Sequence, residues 1–148
     1  MDTGEQVSLN PQPLPPRAIW LTAAVAIAVA AILGAWGTFG GDGNSTGDYI
    51  FVLVIIGVLA AIVYGLVVPR AVRGIWPMAR TGLILSILGL LTVIVFWSGA
   101  PPIFAFAGIL LGYFAREREP SGLATGAILL GVMALIADVA IYIADQTS

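Results

Sequence analysis

TGLILSILGLLTVIVFWSGAPPIFAFAGILLGYFARER, Thr81 to Arg118, is the stretch that decides the fold. It reads apolar, breaks at Ser98-Gly99-Ala100-Pro101-Pro102, and reads apolar again until Arg116. Gly99 suits the cap that ends one helix, and two prolines suit the first turn of the next. The break at 98–102 therefore predicts a tight turn, and the two halves a membrane hairpin. Gly82 and Gly89, with Ser86, mark a small face on the first half. Gly108 and Gly112 form a GxxxG pattern on the second, so the backbones can approach closely.

Working outward, the 148-residue chain is 59% hydrophobic and 9% charged. A soluble domain holds about 45–50% apolar and about 25% charged residues. A chain this short cannot hide such a surplus in one core, so lipid is the expected solvent. The reading is an all-α polytopic bundle of five spans: 18–37, 49–69, 81–98, 101–115 and 122–143. Residues 18–148 form the transmembrane domain. Residues 1–17 form a disordered cytoplasmic tail, acidic at Asp2 and Glu5 and carrying prolines at 11, 13, 15 and 16. Pro13-Leu14-Pro15-Pro16-Arg17 has the form of an SH3-type ligand but reads first as a solvated linker. The acids before the first apolar run, and the length of that run, describe a signal anchor and not a cleaved leader.

Each span carries its own packing signal. Ala26, Ala30 and Gly34 recur every four residues in the first, between Trp20 and Trp36. The second repeats the spacing at Gly57, Ala61 and Gly65, and the last opens with Gly122 and Gly126. The loop at 40–48, GGDGNSTGD, contains the sequon Asn44-Ser45-Thr46, a short pattern that recurs by chance. The loop at 70–80, RAVRGIWPMAR, is basic, and Trp76 next to Pro77 lays it along the headgroups; its three Arg read first as holding the loop on the cytoplasmic side, with attraction of anionic lipid as the alternative.

Charge sets the topology. The segment 101–115 rises only about 22 Å, short for a hydrocarbon core of about 30 Å, and a re-entrant piece is the alternative. If it crosses, Arg17, Arg70, Arg73, Arg80, Arg116 and Arg118 all share the cytoplasmic side. If it does not, Arg116 and Arg118 fall outside. The expectation is therefore five spans in the plasma membrane, with the N-terminus cytoplasmic and the C-terminus extracytoplasmic.

One acid or base lies inside a span, Asp138. Asp145 is seven residues on along the same helix face, and Tyr142 is four residues on and within reach as a donor. Together they suggest an acidic outer vestibule over a proton- or cation-accepting group. The plainer reading is that Asp138 is hydrated or hydrogen-bonded to a neighbouring span. The chain has no Cys, His or Lys, which removes thiolate chemistry, the commonest general base and the usual zinc ligands. A rhomboid-type Ser–His pair and a presenilin-type pair of intramembrane aspartates are both missing, and no P-loop or dinucleotide fingerprint occurs. No catalytic, cofactor or metal residue is assigned, and no nucleic-acid partner is expected.

The hairpin text GLILSILGLL, then PPIFAFAGILLGYFARER, then GLATGAILLGVMALI resembles small bacterial, especially actinobacterial, multi-span membrane proteins of unassigned activity. The likeness covers residues 80–137 and implies a plasma-membrane location. The leading functional expectation is a non-enzymatic membrane subunit, meeting the bilayer and a membrane-protein partner or a second copy. The alternative is a small transporter or channel component using Asp138.

Overall fold

The structure is a computed structural model that describes residues 14–40 and 45–147. Asp2, Glu5, the prolines at 11 and 13, Asn44 of the sequon and Ser148 lie outside the described residues. Five helices follow in chain order: α1 (Pro16–Phe39), α2 (Thr46–Val72), α3 (Met78–Ser98), α4 (Ala100–Arg118) and α5 (Gly122–Thr147). No strand occurs among the described residues. Four of these helices, α1, α2, α3 and α5, are long and apolar enough to cross a membrane. Their outer faces carry large apolar side chains in the open, among them Trp20, Leu21, Phe51, Ile94, Leu129 and Ile136. Such a surface belongs in hydrocarbon, where it costs nothing to expose.

The helix ends explain themselves locally. Pro16 opens α1 at a position where its missing N–H would have no intrahelical partner, so the helix starts earlier than residue 18. Ser45 and Asp48 close a capping box on α2: the Ser45 amide and hydroxyl both donate to Asp48 Oδ2 at 2.8 Å. Inside α2, Val63–Val67 widens into a π turn just before Pro69. The proline ring would otherwise meet the carbonyl of Gly65, and the extra residue in the turn relieves that clash. In α3, the last turn tightens to a 3-10 helix at Val93–Ser98, with a bend at Val95.

The turn at 98–102 is as tight as its residues predict. Gly99 takes φ +69°, a left-handed conformation that a side chain would strain, and a Cβ there would meet Ile56 of α2. Pro101 stands in the first turn of α4, with Pro102 beside it. The helix then runs for 19 residues, a rise of about 28 Å. That is longer than the 101–115 segment suggested, because the helix continues through Arg116 and Arg118.

α4 is the centre of the molecule. Pro101, Pro102, Ile103, Ala105, Ala107, Gly108, Leu110, Leu111 and Gly112 are all buried. The contacts alternate in direction. A Cβ on Gly82 of α3 would lie 3.0 Å from the Gly112 amide, and one on Gly89 would lie 3.1 Å from the Ala105 amide. On the other side of α4, Gly112 faces Ala124 and Ala127, while Gly131 faces Ala105 and Ile109. α4 therefore runs opposite to both α3 and α5. α1 and α2 are antiparallel as well, Gly34 against Val52 and Phe39 against Tyr49. Ile56 at Gly99, and the Tyr64 hydroxyl donating to the Ile103 carbonyl at 3.2 Å, align α2 with α4. Direction thus reverses at every connection. Arg17, Arg70, Arg73, Arg80, Arg116 and Arg118 consequently gather at one end of the bundle, with Asp48 and Asp145 at the other.

Candidate functional site: a buried acid beneath an acidic cleft

Asp138 lies on the inward face of α5, in line with Ala124, Ala127, Gly131, Ala134 and Tyr142. Those residues are small up to Ala134 because α5 presses against α3 and α4 there. The Ser86 hydroxyl donates across to the Ala127 carbonyl at 2.6 Å, and a Cβ on Gly131 would sit 3.0 Å from the Ala105 carbonyl. Two turns further on, this close-packed seam reaches Asp138.

The Asp138 side chain is fully buried, and neither carboxyl oxygen has a hydrogen-bond partner among the described residues. The hydrogen bond to a neighbouring span that the plainer sequence reading allows is therefore not made by any described residue. Nor does Tyr142 donate to it. The Tyr142 hydroxyl donates instead to the Phe96 carbonyl at 3.0 Å, and its ring stands edge-on to Phe96 at 4.9 Å. The Phe96 carbonyl takes two donors, since it also accepts the Gly99 amide at 3.2 Å. Asp138 lies at the level where α3 ends and α4 begins, by the pairing of Gly131 with Ser86 and of Tyr142 with Phe96. A helix start normally offers spare N–H groups to an acid. Here Pro101 and Pro102 have none, and the Ala100 amide is already donated to Ser98 Oγ at 3.3 Å.

Above Tyr142 a cleft of about 370 Å³ opens between the ends of α1, α2, α3 and α5. Its lining includes Gly37, Thr38, Asp48, Phe96, Tyr142 and Asp145. Tyr142 is its floor, and Asp138 lies one helical turn beneath, about 6 Å of rise. Gly37 gives the tyrosine ring its place, since a Cβ there would fall 2.8 Å from Cε1. Asp145 is exposed on the rim, and Asp48 is tied to Ser45 by the capping box. The structure therefore brings Asp138, Tyr142 and Asp145 to one end of α5 in register, but joins none of them by a hydrogen bond. Asp48 and Gly37 escaped sequence reasoning. Ser45-x-x-Asp48 is a capping signature that could have drawn attention to the first, whereas nothing local links Gly37 to Tyr142.

The packing glycines divide into two groups. Gly82, Gly89, Gly108 and Gly112 are enclosed, and a Cβ on Gly108 would collide with the Ser86 hydroxyl. Gly126 meets only Leu83, at 3.4 Å. Gly57, Gly65 and Gly122 have nothing within 4 Å. Gly131, outside every expected motif, is among the tightest. Among the described residues no group of His, Cys, Asp and Glu could hold a metal ion.

No family model, curated protein or solved structure matches this chain. The class that its fold and composition define is a helical, multi-pass membrane protein, and function has to be argued from the site alone.

Proposed function

We propose that this chain is a five-span plasma-membrane protein, N-terminus cytoplasmic and C-terminus outside, that serves as a non-enzymatic transporter or channel component with Asp138 as its proton- or cation-accepting group. The fifth crossing is α4, the helix whose hydropathy alone does not announce it. Support for that crossing is its enclosure among four membrane-length helices and the common end shared by all six Arg, which matches the cytoplasmic bias of basic residues.

The observation that carries the functional reading is the Asp138 carboxyl group: buried inside the bundle, without a donor or a counter-cation among the described residues, one turn below a cleft rimmed by two acids. Acids in that setting are expensive and are kept for work. Asp48 and Asp145 raise the local concentration of cations at the mouth, and Tyr142 separates the mouth from the acid. An acid with no salt bridge to surrender can take up and release a proton or a small cation as Tyr142 opens and closes the way.

The test is flux in proteoliposomes under an imposed proton or sodium gradient. Wild type is expected to dissipate one of these gradients, Asp138→Asn to lose that flux at least about tenfold, and Asp138→Glu to retain part of it. Equal flux in wild type and Asp138→Asn contradicts the reading.

A second reading, a membrane subunit without transport activity, is favoured by Gly57, Ala61 and Gly65. These line a lateral groove of about 490 Å³ between α1 and α2 with no internal partner for the glycines. Recovery of a stoichiometric membrane partner in mild detergent, lost on Gly57→Leu, would select it.

A further inference from the structure

A second groove lies at the arginine end, remote from Asp138 and independent of its role. It runs between the π turn of α2 and the first half of α3, with a volume of about 510 Å³. Leu59, Val63 and Val67 form one wall, Ile84 and Leu88 the other. From Leu59 to Val67 it follows α2 for about 12 Å. The widened turn before Pro69 shapes that wall. The groove changes character only at its arginine end, where Trp76, Pro77, Arg80 and Thr81 close it.

That end is built for an anion. Arg80 is exposed and forms no ion pair or hydrogen bond among the described residues. Trp76 is braced in turn: the Arg70 guanidinium lies 5.9 Å over its ring and donates to the Leu66 carbonyl at 3.2 Å. Arg73, in the connection between α2 and α3, adds a third positive charge at this end. No Asp or Glu occurs between Asp48 and Glu117. Among the described residues, the two acids at this end of the bundle, Glu117 and Glu119, sit at the close of α4 and do not line the groove. An apolar trough leading to unpaired arginine and an indole at headgroup level has the polarity of a phospholipid: chain below, charge above.

We infer that this groove holds an anionic phospholipid, one acyl chain lying between α2 and α3 and the phosphate-bearing headgroup meeting Arg80 beside Trp76. A zwitterionic lipid can fill the trough but cancels the attraction at its end, and a water-soluble anion gains nothing from the apolar walls.

The experiment uses the full chain with Trp76 as its only tryptophan (Trp20→Phe, Trp36→Phe, Trp97→Phe). It is reconstituted in phosphatidylcholine vesicles doped with acyl-brominated phosphatidylglycerol or, separately, acyl-brominated phosphatidylcholine. Bromine quenches indole fluorescence on contact. Brominated phosphatidylglycerol is expected to reach half-quenching at a mole fraction at least about fivefold lower than brominated phosphatidylcholine. Arg80→Gln should abolish that preference. So should Val67→Phe, which fills the trough and leaves every charge in place. Thermal unfolding of each variant establishes that it is folded. Equal quenching by the two lipids overturns the inference. So does a preference that survives both Arg80→Gln and Val67→Phe and disappears in Arg70→Gln/Arg73→Gln, since that describes attraction to the loop surface alone.

Discussion

Asp138 is a residue the fold tolerates and does not need. A buried polar group left without a partner costs about 1–3 kcal/mol, and replacing it with an apolar side chain of similar size removes that cost. Asp138→Leu should therefore stabilise the protein by about 1–3 kcal/mol, read as a higher midpoint of thermal unfolding in detergent. A lower midpoint would mean that the carboxyl group holds the bundle together, and the transport reading would lose its premise. Tyr142 is the opposite case, because its hydroxyl joins α5 to the Phe96 carbonyl of α3. The sequence disclosed Asp138 at once, since one acid in an apolar span is conspicuous. It did not disclose the partner of Tyr142. A spacing of four residues on one helix made Asp138 the natural acceptor, but the bend at Val95 presents the Phe96 carbonyl from another helix. Side-chain partners across helices are fixed by tertiary approach, which local spacing does not encode.

At the scale of the helix, α4 shows why hydropathy and position in a membrane protein diverge. The helices that face lipid must be strongly apolar. The helix surrounded by other helices can carry Ala, Gly and Pro, because most of its surface touches protein and it is selected for close approach. Its hairpin was legible at Ser98 to Pro102, where a left-handed glycine and two prolines have few alternatives. Which glycines face inward was not legible. Gly57, Ala61 and Gly65 on α2 recur every four residues, as Gly108 and Gly112 do on α4, and a period identifies a face without naming its neighbour. The structure separates them, and a paired measurement follows. Gly112→Ala should destabilise by about 1–3 kcal/mol, since its methyl group would fall 2.9 Å from the Ala124 carbonyl. Gly57→Ala, with open space around it, should leave the unfolding midpoint of the monomer unchanged. Equal losses from both would mean that the α2 stripe is packed in a way this fold does not contain.

For the molecule as a whole, the proposed topology requires α4 to cross the bilayer, because only then do all six arginines fall on one side and the acidic cleft on the other. The charge pattern already carried this argument in the sequence; the alternating directions of α3, α4 and α5 give it a geometric basis. The chain has no native cysteine, so single cysteines report cleanly on sidedness. The direct measurement is labelling of Ser121→Cys and Thr147→Cys, at opposite ends of α5, with a membrane-impermeant maleimide. In intact cells Thr147→Cys should be labelled and Ser121→Cys should react only after permeabilisation. Labelling of Ser121→Cys in intact cells, with Thr147→Cys protected, would place Arg116 and Arg118 outside and contradict the five-span arrangement.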